Sequence, residues 1–581
     1  MEKFYTDEKH TQILIALLKA HNIKKIVANP GTTNICFIAS IQHDPFFEIY
    51  SSADERSAAY MACGLSAETS EAVALSCTGA TASRNYIPAL TEAFYRKLPI
   101  LAITSTQKIG RIGHNMPQII DRSVGQKDIF KMSAYIPEIN DDEDKWYCET
   151  KINEAILELH HQGGGPVHIN LVTTYSPIFD VKTLPDVRVI KRISYNDEKP
   201  KIEYKKIGIY VGAHKKWSEE LTNVVDDFCK RYNAVVFCDH TSNYKGKYRV
   251  LPALVASQDN YSSPLCSVDL LIHLGDISGA YLPINSNSTW RINPDGRICD
   301  TFRNLKYVFE MEEINFFKYY VEDTTLKNKE NKFLQEWNNE YKEIYDNIPE
   351  LPFSNPWIAK QTISKLPENS ILHLGILNTL RSWNYFETPK TVLGYANTGG
   401  FGIDGNTSSL IGASLGDPNK LYFGVVGDLS FFYDMNSIGN HHVGKNLRLM
   451  VINNGKGAEF RIYNHPADKF GEKADDYMAA ARHYGNKSPQ LIKHYAEDLG
   501  FRYLCANNKE EYLKNIKVFI ADSITDKPIL FEVFTDAKDE SDSHKIIRNI
   551  KVSKKGEIKK IIKNMLGEKR IKTMKKIIKN I

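Results

Sequence analysis

The sequence predicts an α/β protein: three doubly wound parallel-sheet domains followed by a basic helical tail. Three observations lead there. Apolar runs of strand length, such as VALSC, LPILAITS, YFGVV and LRLMVI, lack strict alternation and read as strands buried on both faces. Segments with helical apolar spacing separate them. The 581 residues exceed what one hydrophobic core organises and suit three domains.

From the N-terminus, QILIALLKAHNI is an amphipathic helix and KKIVANPG is a strand running into a turn. FFEIYSSADE is a strand ending in acids, and ERSAAYMACGLSAET is a helix rich in small residues. EAVALSCTGATASRN is a buried strand feeding a Gly/Ser/Thr turn, and LPILAITS is another. The first domain spans 1–185, and the charged stretch KRISYNDEKPKIEYKK is a linker. Residues 200–345 form a middle α/β domain with strands IGIYVG, AVVFCD, VDLLIHLGD and TWRINPDG, and no GxGxxG turn. A charged helix, FLQEWNNEYKEIYDNI, leads to a Pro-containing boundary near 349–356. The third domain covers 353–540, and 541–581 is the tail.

The third domain carries the most telling segment, GDLSFFYDMN followed after a spacer by LMVINNGKGAEF. Gly427-Asp428 closes one apolar run, and Asn453-Asn454 closes the next, 26 positions after Asp428. Two parallel strands joined by a helix place Asp428 and Asn454 side by side at the carboxyl edge of a sheet, where α/β proteins bind ligands. One carboxylate and one amide oxygen suit Mg²⁺, a hard cation that takes its other ligands from phosphate and water. Gly427 lets the backbone approach a diphosphate, and the amides and hydroxyl of Leu429-Ser430 open the following helix toward an anion.

These residues, with VANPGTTN, ADERSAAYMACGLS, SCTGATASRNYIPALTEAF, LPILAITS and YANTGGFGIDGNTSSLIGASLG in order, resemble the thiamine-diphosphate (ThDP) enzymes of the acetolactate synthase and pyruvate decarboxylase superfamily. The GDLS variant and the NNGKGAEF tail are most similar to the menaquinone-pathway synthases, MenD. The resemblance implies a pyrimidine-binding, a middle and a diphosphate-binding domain, with ThDP and Mg²⁺ as cofactors. It implies that Asp428, Asn454 and the Lys456 carbonyl hold the metal. Glu55 becomes a buried carboxyl sharing a proton with N1′ of the aminopyrimidine, and Gln118 a polar active-site amide. Pro30-Gly31 and Thr78-Gly79 wall the site. Ile403 wedges beneath the cofactor, and Asn397, Thr398, Gly427, Leu429, Ser430 and Phe460 complete the cofactor contacts. With no dinucleotide turn in the middle domain, FAD is not supported. The cofactor site lies between subunits in this superfamily, so a homodimer or homotetramer is expected.

Two departures from the MenD pattern bear on substrate. NPGTTN and Asn397-Thr398-Gly399 each lack an arginine that the pattern carries for a substrate carboxylate, and Glu459 stands where an apolar residue is usual. Glu459, Arg461 and His465 are candidates to contact a polar acceptor, and Arg84 and Arg381 to bind an anionic substrate. The catalytic candidates are therefore Glu55, Gln118 and Glu459. The expected reaction is decarboxylation of a pyruvate-like 2-oxo acid and transfer of the resulting unit to an acceptor. A non-oxidative decarboxylase that releases an aldehyde is the alternative, and a non-catalytic ThDP-binding protein stands behind both.

Composition points the same way. Nine cysteines without CxxC pairs read as reduced thiols in a cytoplasmic protein, with no signal peptide and no membrane-spanning run. Residues 551–581 hold 12 of the 74 Lys and Arg and 2 of the 70 Asp and Glu, which leaves 62 basic against 68 acidic residues elsewhere. The tail has helical stripes at Ile558, Ile561, Ile562 and Met565, then at Ile571, Met574, Ile578 and Ile581. Such a helix can make a weak membrane-surface contact, pack on a protein surface, or stay disordered. Nucleic acid is not an expected partner, because the tail has no aromatic residue for stacking.

Overall fold

The computed structural model describes residues 4–122, 125–280, 283–322, 330–482 and 488–553. The tail stripes from Ile558 to Ile581 lie outside the described residues. Two compact units are present: 1–198 with 296–310, and 199–295 with 311–581.

The first unit is built on a six-stranded sheet. Its strands are β1 (Lys25–Ala28), β2 (Glu48–Ser51), β3 (Val73–Thr78), β4 (Ile100–Thr106), β5 (Met132–Ile136) and β6 (Val167–Val172). They run in the order β2-β1-β3-β4-β6-β5, every pair parallel. The strand runs are apolar on both faces because helices cover both. Ile26, Leu101 and Ile169 pack with the helices Lys9–Ala20 and Asp142–Glu158. Val27, Leu75 and Ala102 pack with the helices Glu55–Thr69 and Ile87–Arg96. Ala58, Ala59 and Ala62 are fully buried, so the helix Glu55–Thr69 lies close against the sheet. Two further strands, β7 (Lys191–Ser194) and β13 (Leu305–Glu310), pair in parallel in this unit.

The second unit holds β8 (Ile207–Val211), β9 (Ala234–Phe237), β10 (Arg249–Val250), β11 (Ser267–Leu274) and β12 (Asn285–Ile292), ordered β10-β9-β8-β11-β12 and parallel. Strand order reverses between β8 and β11, the place where doubly wound sheets open a ligand crevice. There the turns after β8 and β11 approach closely: a Cβ on Gly212 would come 1.9 Å from the Asp276 carbonyl.

The same unit holds a second six-stranded sheet: β14 (Ile371–Leu374), β15 (Leu393–Tyr395), β16 (Tyr422–Gly427), β17 (Leu447–Asn453), β18 (Arg502–Ala506) and β19 (Ile529–Phe534). Its order is β15-β14-β16-β17-β19-β18, again wholly parallel. This is the strand order of the first unit's sheet repeated, a relationship that no repeat in the sequence announces. The three parallel sheets make the α/β fold class a finding.

Within the second unit, the loop after β9 is fastened to the segment after β14. His240 Nε2 donates to the Trp383 and Phe386 carbonyls at 2.9 and 3.0 Å, and the His240 amide donates to Asn384 Oδ1 at 2.9 Å. Burial lowers His240 to about 4, so the imidazole is neutral in this bridge. Arg249 Nε donates to Glu387 Oε2 at 2.8 Å, and Lys245 Nζ donates to Thr388 Oγ1 at 2.7 Å. Desolvation raises the Glu387 carboxyl, but Arg249, Lys245 and His240 outweigh it and hold it well below the usual range.

Among the described residues no helix is long and apolar enough to cross a membrane. All nine cysteines are free thiols.

Candidate active site

In the first unit the candidate residues gather where strand order reverses between β1 and β3. Pro30-Gly31 follows β1, Thr78 ends β3 and Gly79 follows it. The two turns touch: a Cβ on Gly31 would lie 2.2 Å from Thr78 Oγ1. A Cβ on Gly79 would lie 2.4 Å from the Ser105 carbonyl and 2.7 Å from Arg122 Nη2. Both glycines are therefore required by close approach.

Glu55 is half-buried and opens the helix Glu55–Thr69, whose N-cap Asp54 accepts from the Ser57 amide at 2.7 Å. Behind β1 the Tyr86 hydroxyl donates to Asn29 Oδ1 at 2.7 Å, and Asn29 Nδ2 donates to the Ser52 carbonyl at 2.8 Å. Burial, then Cys77 and Glu55, push the Tyr86 phenol well up, so it stays a donor. Gln118 is exposed, with φ +63°, a conformation unusual for a residue other than glycine. Arg84 Nη2 donates to the Asp121 carbonyl at 2.8 Å, which fastens the Gln118 loop.

Arg122 is a residue that sequence reasoning missed. It is partly buried, with Nη1 donating to Thr104 Oγ1 at 2.6 Å and Nη2 to Asn170 Oδ1 at 2.5 Å. Burial lowers it to about 10, against an upward pull from Cys77 and with a further push down from Arg84. Its guanidinium props the Thr78-Gly79 turn from behind. The motif IGHNMPQIIDR gave no cue to this, because both partners lie on other strands.

In the second unit the carboxyl edge of the β14–β19 sheet carries the rest. β16 and β17 are neighbours in register from Tyr422↔Leu447 to Gly427↔Ile452, so Asp428 and Asn454 emerge together. Asp428 is 2% exposed, and its Oδ2 accepts from the Gly455 amide at 3.0 Å, which joins the two loops directly. Asn454 is half-buried, and its Oδ1 accepts from the Lys456 amide at 3.4 Å. The Lys456 side chain is drawn off to Asp475 Oδ2 at 2.7 Å. That carboxyl is raised by desolvation, but hydrogen bonds and charges from Lys456 and Arg461 outweigh this and hold it below its usual range. One carboxylate, one amide oxygen and one backbone carbonyl with its side chain turned aside are the ligand types that Mg²⁺ takes. A Cβ placed on Gly427 would meet open space, so the backbone beside Asp428 is accessible.

Asn453 faces the other way. Its Nδ2 donates to Glu532 Oε1 at 2.7 Å, and the Tyr503 hydroxyl donates to Glu532 Oε2 at 2.7 Å. The first asparagine of the pair thus anchors the strand end while the second is presented to the site.

Ile403 is half-buried. Its carbonyl accepts from Ser430 Oγ at 2.8 Å and from Asn406 Nδ2 at 2.8 Å. The Ser430 hydroxyl was expected to face an anion; it is turned inward instead, because the Ile403 turn offers it a carbonyl. The neighbouring Leu429 is half-buried. Asn397 Nδ2 donates to the Asp404 carbonyl at 3.3 Å, Thr398 is buried, and Phe460 stacks edge-on with His465 at 5.2 Å. Glu459, 9% exposed, accepts from Arg381 Nη1. Arg461 Nη1 donates to Asp475 and is committed within its own loop.

Residues 8–124 match the family described as "Thiamine pyrophosphate enzyme, N-terminal TPP binding domain". The 2-succinyl-5-enolpyruvyl-6-hydroxy-3-cyclohexene-1-carboxylate synthase of Bacteroides thetaiotaomicron is 31% identical over 563 residues, covering 92% of this chain and 97% of the relative. The synthase of the same name from Phocaeicola vulgatus is 32% identical over 568 residues, covering 92% and 96%. That of Flavobacterium johnsoniae is 27% identical over 560 residues, covering 90% and 95%.

Proposed function

Because the chain belongs to the family of 2-succinyl-5-enolpyruvyl-6-hydroxy-3-cyclohexene-1-carboxylate synthases, ThDP-dependent carboligases, we propose that it decarboxylates a pyruvate-like 2-oxo acid and joins the remaining unit to an acceptor. The observation that carries the reading is the direct link between the Asp428 carboxylate and the loop of Asn454. When bound, ThDP would supply a nucleophilic carbon for the oxo group and a cationic ring that takes up the electron pair released with CO₂.

The chain's own residues do the rest. Asp428, Asn454 and the Lys456 carbonyl would hold Mg²⁺, and Gly427 would let the diphosphate approach the backbone. Ile403, whose carbonyl is held by Ser430 and Asn406, would support the cofactor. Glu55, at the start of its helix, would share a proton with the aminopyrimidine. Gln118 offers an amide to the substrate. Thr32-Thr33 and Thr398 stand where the family pattern has arginines, which favours a donor without a second carboxylate. A homodimer or homotetramer brings Glu55 of one subunit to the diphosphate site of another.

Purified protein with ThDP and Mg²⁺, offered a panel of 2-oxo acids with and without aldehyde or ketone acceptors, tests this. We expect ThDP-dependent CO₂ release and a product mass equal to donor minus CO₂ plus acceptor. Glu55→Gln should lower turnover by about 10² to 10⁴ while ThDP still binds. Turnover equal to wild type in that variant sinks the mechanism, and free aldehyde as sole product favours the simple decarboxylase.

A further inference from the structure

Two charged side chains meet at the carboxyl edge of the β14–β19 sheet in a way the reaction above does not use. Arg381 lies on the short helix Asn378–Trp383 that follows β14. Glu459 lies in the turn Ala458–Arg461 that follows the metal loop. Arg381 Nη1 donates to Glu459 Oε1, across 78 positions of chain. The Arg381 side chain is 47% exposed and that of Glu459 only 11%.

A structural role explains this pair poorly. Glu459 Oε2 is buried without a hydrogen-bond partner among the described residues. Burying a carboxylate with one oxygen unsatisfied costs stability, and an apolar residue of similar size avoids that cost. The other cations of the loop are committed elsewhere, Lys456 and Arg461 both to Asp475. The fold therefore bears a cost to keep a carboxylate on Arg381. That guanidinium shares its sheet edge with Asp428 and Asn454, and a guanidinium fork is the natural receptor for a substrate carboxylate.

We propose that Glu459 is a specificity-determining residue: as an internal carboxylate it occupies Arg381, so the site accepts a 2-oxo acid with an uncharged far end and turns away one with a second carboxylate. The proposal rests on the carboligase reading and narrows its donor class.

The test compares kcat/KM for pyruvate and 2-oxoglutarate in wild type, Glu459→Ala and Glu459→Gln. It also measures calorimetric binding of glutarate, an unreactive dicarboxylate, to protein loaded with ThDP and Mg²⁺. Wild type should prefer pyruvate. Either Glu459 variant should shift the ratio toward 2-oxoglutarate, and tighten glutarate, by about 10- to 100-fold, the value of a charge-assisted hydrogen bond. Adding Arg381→Ala should cancel both gains. In the wild-type background Arg381→Ala should leave glutarate affinity unaltered, a result independent of how well the Glu459 variants fold. Loss of glutarate affinity there, or an unshifted ratio and affinity in both Glu459 variants, overturns the proposal. If no 2-oxo acid is turned over, the carboligase reading fails while the glutarate arm still decides the role of Glu459.

Discussion

A methyl group on Gly31 would sit 2.2 Å from Thr78 Oγ1 and 2.9 Å from Asn34 Oδ1. Neither neighbour is the loose end of a long side chain, so the β1 and β3 turns must part to admit it. Gly31→Ala should therefore cost about 1–3 kcal/mol in stability and weaken ThDP binding. Thr78→Ala in the same chain removes the nearer atom and should restore part of both, read by denaturant titration and by fluorescence titration with ThDP. Full stability and affinity in Gly31→Ala alone shows that the turns are not in contact. At this scale the meeting of Asp428 with the Asn454 loop was legible in the sequence, because a Gly-Asp and an Asn-Asn at two strand ends carry their geometry locally. Arg122, the Glu532 anchor of Asn453 and the Arg381–Glu459 pair were not. Each joins residues distant in sequence, and nothing local to Glu459 names its partner.

Among the elements, the strands and covering helices were legible because burial on both faces writes continuous apolar runs. The inward turn of Ser430 was not, since a hydroxyl at a helix start serves a ligand or a neighbouring carbonyl equally well, and only the position of Ile403 decides. The join between the β9 loop and the segment after β14 was likewise invisible, being built from His240, Lys245, Arg249 and Glu387. It carries a pH signature. The Glu387 carboxyl is depressed in the folded protein, so its contribution is complete above the unfolded carboxylate value and is lost as pH falls below it. Its side chain is 40% exposed and solvent screens the pair, so the effect is modest. Glu387→Gln should destabilise the protein at pH 7 and narrow its stability difference between pH 7 and pH 3, followed by urea unfolding. An undiminished acid sensitivity in the variant assigns it to other carboxylates.

For the whole molecule, the two six-stranded sheets share one strand order, and the proposed site residues divide between their carboxyl edges. Glu55 belongs to the first unit, Asp428 and Asn454 to the second. If active sites form between subunits, chains carrying Glu55→Gln and chains carrying Asp428→Ala should each be inactive alone. Refolded as a mixture they should regain a measurable part of wild-type turnover, because each mixed dimer contains one intact site. Sedimentation should show a dimer or tetramer whose specific activity falls on dilution as it dissociates. A fully active monomer, or no recovery in the mixture, excludes shared sites.

The shared strand order also bears on how the chain is made. In each sheet the last strand synthesised takes an inner place: β6 lies between β4 and β5, and β19 between β17 and β18. A nascent chain that has emerged only through β18 holds a gap with two unpaired edges, the open-edge state that invites pairing with other chains. The β14–β19 sheet closes only when Ile529–Phe534 leaves the ribosome. Translation that stalls between Ala506 and Ile529 should therefore yield aggregation-prone fragments, whereas a chain released after Phe534 carries the complete sheet.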